Sequence, residues 1–168
     1  MKRFQLFALF LCVITVSNAQ KSISSNLLKD IVAGKFDTKK PPTVTSMLNG
    51  EFYTQLTEDG KKIIQYSYKT GKEEQVLFDV EKAKGVKLQR IEGYFFSPTE
   101  KTMLVYTNVE KLFRRSFVAD YYVFDLFRNK LEALSDSVGK QRDPVYSPNG
   151  RLIVFGKGND LRLKKLDY

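Results

Sequence analysis

Chemistry in this 168-residue chain falls to its carboxylates, lysines and arginines, because the sequence contains no histidine, no tryptophan and one cysteine, Cys12. Without an imidazole there is no Ser-His-Asp or Cys-His unit to activate a nucleophile. A zinc site asks for several Cys or His ligands, and one thiol furnishes neither that set nor an intrachain disulfide. The Gly-x-Ser-x-Gly nucleophile elbow, a glycine-rich phosphate loop, an Asn-x-Ser/Thr sequon and calcium-loop spacing are all missing from the sequence. No cofactor and no metal are expected. Among the acids, Glu73-Glu74 follows the Thr70-Gly71 turn and reads as a solvated hairpin, while Asp136 and Asp143 read as loop acids. Among the bases, Lys39-Lys40, Lys61-Lys62, Arg114-Arg115 and Lys164-Lys165 each stand beside a predicted turn or strand end.

That scatter decides the meaning of the net charge. The chain carries 28 Lys+Arg against 19 Asp+Glu, but a nucleic-acid binder gathers its positive residues on one face and interleaves aromatics. Spaced pairs of this kind describe a solvated surface, and no nucleic-acid partner is expected.

The elements that hold these residues begin with a leader. Lys2 and Arg3 precede an apolar run from Phe4 to Val16, interrupted by Gln5, and Ser17-Asn18-Ala19 supplies small residues at −3 and −1. This is the pattern of a secretory signal peptide cleaved after Ala19. The run is too short for a membrane span, which takes about 20 residues. Cys12 lies within it, and Leu9-Phe10-Leu11 lacks the small residues of a lipid-attachment site. The expected mature protein is exported, periplasmic or secreted, free of cysteine, with 26 basic against 19 acidic residues once Lys2 and Arg3 are removed. At 42% apolar and 13% aromatic residues the full 168-residue chain has a globular composition and room for one ordinary domain.

Three segments then recur. Ser46-Met47-Leu48-Asn49-Gly50, Ser97-Pro98-Thr99-Glu100-Lys101 and Ser147-Pro148-Asn149-Gly150-Arg151 each join an incoming apolar residue to an outgoing β-rich run, with spacings of about 50 residues that suit propeller blades. The first period holds runs at 51–56, 62–68 and 74–78. The second holds four, at 91–96, 102–107, 120–126 and 130–134, with Arg128-Asn129 as its last hairpin. The third holds runs at 144–146, 151–155 and 160–166. Upstream, Leu27 to Phe36 has near-helical apolar spacing and is expected to be a short helix, followed by an extended linker through Lys39-Lys40-Pro41-Pro42.

The expected architecture is all-β, an incomplete propeller of about two and a half four-stranded antiparallel blades. Residues 1–19 form the signal peptide, 20–45 the helix and linker, and 46–168 the partial propeller. A ring of blades is stable when closed and packed face to face, so the sequence reads as the front of something longer.

These features together resemble the N-terminal part of dipeptidyl peptidase IV, a group of serine exopeptidases of the prolyl oligopeptidase family. The resemblance is carried by the leader, the Leu-Lys-Asp-Ile helix ending in Gly-Lys-Phe, the Ser-Pro-Asn-Gly turns, and most specifically by Phe113-Arg114-Arg115-Ser116-Phe117 leading into Ala119-Asp120-Tyr121-Tyr122-Val123-Phe124-Asp125-Leu126. Leu134-Ser135 and Val138-Gly139-Lys140 extend it. It implies an eight-bladed propeller over an α/β-hydrolase domain lying outside this chain, and removal of dipeptides from free N-termini with Pro or Ala in second place. It implies further that Arg114 reaches into the active-site cavity and holds a substrate carbonyl, a task suited to a planar, permanently charged fork. Arg115 stands where many relatives have His. The family's amine-binding glutamate pair lies in a later blade, so Glu73-Glu74 is not assigned that role. The resemblance leaves a homodimer of the full-length protein open. A different class of function also stays open, a non-catalytic propeller module that binds peptide or protein.

Overall fold

The computed structural model describes residues 25–38 and 42–166, and the chain divides into two compact units between Pro41 and Pro42. The expected signal peptide, its cleavage point after Ala19 and the Lys39-Lys40-Pro41 part of the linker lie outside the described residues. In the first unit, α1 spans Ser25–Val32, shorter at its end than the apolar spacing suggested. Gly34 stops it: at φ +70° it turns the chain so that its own N–H donates to Ile31 O and that of Lys35 to Asp30 O, both at 3.0 Å. This pair of bonds satisfies carbonyls a helix end leaves bare. Among the described residues no helix is long and apolar enough to cross a membrane.

The second unit is built of three sheets. The first orders β1 (Val44–Ser46), β2 (Phe52–Leu56), β3 (Lys62–Ser67) and β4 (Glu73–Asp79) as an antiparallel meander. The second contains β5 (Lys84–Gly85), β6 (Gly93–Phe96), β7 (Thr102–Lys111), β8 (Phe117–Asp125) and β9 (Lys130–Ala133) in the order β5-β9-β8-β7-β6. The third orders β10 (Arg142–Tyr146), β11 (Leu152–Lys157) and β12 (Asp160–Lys165). This is the partial β-propeller expected.

Packing explains why the strands read as they do. Met103 and Val105 on β7 and Phe124 on β8 join Ile63 and Phe78 of the first sheet in one buried cluster. Leu104, Tyr121 and Val123, their alternating neighbours, join Ile153 and Phe155 of the third sheet in another. A strand turns successive side chains to opposite faces, so a sheet between two others must be apolar at consecutive positions. Residues 102–105 of β7 are all buried, which marks the second sheet as the middle blade.

The structure moves several boundaries. Val44 and Thr45, expected in the linker, pair with Gln55 and Thr54, which gives the first sheet its fourth strand. The first repeat turn is anchored by Met47 rather than Ser46. Met47 N donates to Phe52 O, Ser97 N to Thr102 O and Ser147 N to Leu152 O, so the period is 50 residues at both steps. β4 opens at Glu73, one residue before the run at 74–78, and Glu73 and Glu74 are both exposed there, as the solvated reading expected. Asp143 lies in β10, at a register shift between Arg142 and Val145, with φ +48°. Beside it, Pro144 can sit in a strand because a bulge leaves its missing N–H without a partner to fail.

β5 has no counterpart in the sequence reading. It runs parallel to the outer edge of the middle blade, pairing Lys84 with Lys130 and Gly85 with Leu131. Gly85 stands at φ +91°, and a Cβ there would come within 2.4 Å of Leu131 O. Only glycine permits that approach.

Candidate functional site

The residue that the sequence singled out, Arg114, sits at the tip of an arm. β7 and β8 pair from Thr102↔Asp125 to Thr107↔Asp120, slip by one residue, and continue through Glu110↔Val118 and Lys111↔Phe117. The strands therefore reach well past the runs at 102–107 and 120–126 that the sequence suggested. The slip is a bulge, which bends a hairpin and steepens its twist. Asn108 takes the left-handed conformation there, φ +54°, and its Nδ2 donates to Asp120 Oδ2 at 2.8 Å. The amide of Val109 donates to the Glu92 carboxylate at 3.3 Å.

Around the bulge the arm is seated by aromatic rings. Phe117 and Tyr121 lie 5.5 and 5.4 Å from Tyr106, centroid to centroid. Burial pushes the Tyr121 phenol up to about 12, with the neighbouring Tyr106 and Asp143 adding to the effect. Burial raises Tyr106 too, and the Glu92 carboxylate adds to it. Both rings are thus neutral across the physiological range and serve as packing surface.

The tip is closed by Leu112 N and Phe113 N, which donate to Ser116 O at 3.0 and 3.3 Å. Arg114 and Arg115 are exposed on it. Among the described residues neither guanidinium has a hydrogen-bond or ion-pair partner. An exposed, unpaired guanidinium on a braced arm can engage a carbonyl, a carboxylate or a phosphate that comes to it.

The arm is also tied to the next blade. Lys140 Nζ lies 3.0 Å from Glu110 Oε2. Gln141, 5% exposed, exchanges two backbone bonds with Ala119, at 3.0 and 2.9 Å, and its Oε1 accepts the Tyr121 amide at 3.0 Å. None of Glu92, Asn108, Glu110 or Gln141 was found from sequence. The signal for the arm's length was present in the apolar alternation, which runs on through Val105, Thr107 and Val109 and resumes at Phe117, Ala119 and Tyr121. The ties across to residues 140 and 141 had no local signal.

Clefts occur elsewhere. One of about 710 Å³ lies between Gln75, Val76 and Leu77 on one side and Asp125, Phe127 and Arg128 on the other. Another of about 470 Å³ is lined by Ser135, Asp136, Ser137, Phe155 and Arg162. Arg114 lines neither, and Glu73 and Glu74 lie on a different sheet from it. Among the described residues no cluster of three His, Cys, Asp or Glu side chains could hold a metal ion.

Residues 97–168 match the family described as the dipeptidyl peptidase IV (DPP IV) N-terminal region. That stretch is similar to a dipeptidyl peptidase IV N-terminal region. Its match takes in the whole arm and the third sheet. The crystal structure of Porphyromonas gingivalis dipeptidyl peptidase 4 superposes on 82% of this chain with a TM-score of 0.75 and 34% identity, and the superposed part is 20% of that chain. A probable dipeptidyl peptidase 4 of Emericella nidulans is 38% identical over 70 residues, 41% of this chain and 9% of the relative. Human prolyl endopeptidase FAP is 24% identical over 165 residues, 95% of this chain and 21% of the human one. The chain therefore spans between about a tenth and a fifth of the length of these relatives.

Proposed function

We propose that this chain contributes the front of the propeller in an exported dipeptidyl peptidase IV-like serine peptidase that removes Xaa-Pro and Xaa-Ala dipeptides from peptide N-termini. Its part is recognition. With no histidine in the sequence, it does not supply the imidazole of a Ser-His-Asp triad, and the acyl transfer is assigned to an α/β-hydrolase domain outside this chain. The reading is supported by the family match across the arm and rests on one observation: Arg114 stands at the tip of an arm braced by Glu92, Asp120 and Gln141, with its guanidinium unpaired among the described residues.

Mechanistically, an arm of this kind fixes where the guanidinium is without occupying its donors. A peptide carbonyl entering the cavity accepts from the fork and is held in register for attack, which is binding energy spent on orientation. The expected substrate has a free N-terminus and Pro or Ala in second place.

The test is hydrolysis of Gly-Pro-p-nitroanilide by the full-length gene product. Arg114→Ala should raise KM about tenfold to a hundredfold, the loss of one hydrogen bond to a charged donor, while the melting temperature stays put because the residue is exposed. A kcat/KM within twofold of wild type would overturn the assignment of Arg114. No cleavage by the wild-type product would overturn the peptidase reading, leaving a non-catalytic binding propeller.

A further inference from the structure

We propose that Gln141 is a positioning residue for Arg114, acting by completing the outer edge of the arm after the strand that should cover it has ended. The inference rests on the reading of Arg114 as a substrate-binding residue. β9 stops at Ala133, and the next amide, that of Leu134, makes the last ladder bond along this edge, to Tyr121 O at 2.9 Å. From Tyr121 outward, toward the tip, β8 presents the Tyr121 and Ala119 amides to a side that β9 no longer covers. Ala119 is fully buried and Tyr121 is 4% exposed, so those groups cannot turn to water.

One residue of the following connection meets both. Gln141 Oε1 accepts from Tyr121 N at 3.0 Å. Its backbone carbonyl accepts from Ala119 N at 3.0 Å, and its backbone amide donates to Ala119 O at 2.9 Å. The remaining donor, Nε2, returns to Gly139 O within its own loop. A side chain and a main chain together thus stand in for two residues of an absent strand. Between this splice and the tip, the Lys140 to Glu110 ion pair holds the other strand of the arm to the same loop, with both side chains partly solvated. The connection from β9 to β10 is in this way part of the arm, and the height and tilt of Arg114 depend on it.

Buried donors left without acceptors destabilise the strand that carries them. Replacing Gln141 by Ala removes the acceptor for Tyr121 N–H and loosens the splice, while the opposite end of β7 keeps its own turn bonds. The consequence falls on the tip, which lies some five to nine residues outward along each strand.

The experiment uses the full-length gene product and two readouts. In hydrogen exchange, Gln141→Ala should speed exchange of peptides covering 108–118 about tenfold or more, with 102–106 unchanged, as expected of local opening. In hydrolysis of Gly-Pro-p-nitroanilide it should raise KM about tenfold with kcat nearly unchanged, and Gln141→Glu, which keeps an oxygen facing Tyr121 N, should recover most of that loss. Combined with Arg114→Ala, it should cost nothing more than Arg114→Ala alone, because positioning matters only while the guanidinium is present. Unchanged exchange over 108–118, or losses that multiply in the double variant, would overturn the proposal. If Arg114→Ala proves silent, the substrate-binding reading fails instead, and the exchange experiment still decides whether Gln141 holds the arm. Should Gln141→Ala fail to fold, Glu110→Gln removes only the ion pair, and exchange over 108–118 should then rise about two- to threefold; no rise would count against the tie.

Discussion

The middle blade makes two joints with its neighbours, and they differ in kind. Its joint with the first sheet is an apolar cluster of Ile63, Phe78, Ile91, Met103 and Phe124, crossed by a bond between the Thr54 and Tyr94 hydroxyls at 2.7 Å. Its joint with the third sheet is aromatic and polar, with Tyr106, Phe117, Tyr121 and Tyr146 around Leu104 and Ile153, and Gln141 sealing the edge of the arm. The same repeat thus yields one joint whose work is cohesion and another that carries the candidate site. The difference arises because β7 and β8 run on past the blade on one side only, and an extended pair needs support that a standard four-stranded blade does not have.

The comparison would break most visibly at the cohesive joint. Phe124 is fully buried and stands edge-on to Phe78, with ring centroids 4.9 Å apart. Phe124→Ala removes a large side chain from the centre of a packed cluster and should destabilise by about 3–5 kcal/mol, read from the urea midpoint. A loss under about 1 kcal/mol would mean that the cluster relaxes freely and that the first joint is not the cohesive one.

How much of this was legible in the sequence follows the same division. The blades were legible because alternation and turn residues are local, and Ser97-Pro98 and Ser147-Pro148 announce their turns. The first turn was misaligned because Met47 fills the slot that Ser holds in the other two, so Ser46 attracted the alignment by type. β5 was invisible: Lys84-Gly85 is two polar-flanked residues whose strand character exists only through pairing with Lys130 and Leu131. Arg114 was singled out through its motif, but the residues that brace its arm were not, because Gln141 lies 27 positions away in the chain and meets the arm only in the folded state.

The second joint can be probed with pH. Tyr121 is pushed up to about 12 from its ordinary 10, first by burial and then by Tyr106 and Asp143, and Tyr106 shifts in the same direction. The fold therefore holds the phenol proton more tightly than the unfolded chain does. This contribution is intact below pH 10 and is lost as pH climbs toward 12. Urea midpoints should fall across that window, and Tyr121→Phe should flatten part of the fall. A midpoint that drops just as steeply in the Phe variant would place the alkaline sensitivity elsewhere, for example at Tyr94 of the first joint, whose phenol burial also raises.

The smallest effect lies at the rim of the first joint, in the middle one of three equivalent turns. Gly50, Glu100 and Gly150 occupy one position of the repeat, at φ +70°, +52° and +73°, and each amide donates to the carbonyl three residues back. Left-handed backbone costs a glutamate roughly 1 kcal/mol more than a glycine. What offsets that cost is a bond to the neighbouring blade, because Glu100 Oε1 accepts the Leu48 amide at 2.7 Å. One period further on, the residue equivalent to Leu48 is Pro98, which has no N–H to offer, and there the chain uses glycine at 150. Strain is thus kept where it earns a contact and absent where none can form. Glu100→Ala, which keeps the strain and loses the bond, should destabilise by about 1 kcal/mol. Glu100→Gly loses the bond and the strain together and should fall within about 0.5 kcal/mol of wild type, the freer unfolded chain cancelling some of the relief. If Ala and Gly prove equally stable in urea, the φ of Glu100 is not strained, and the preference for glycine at 50 and 150 must come from the turns themselves.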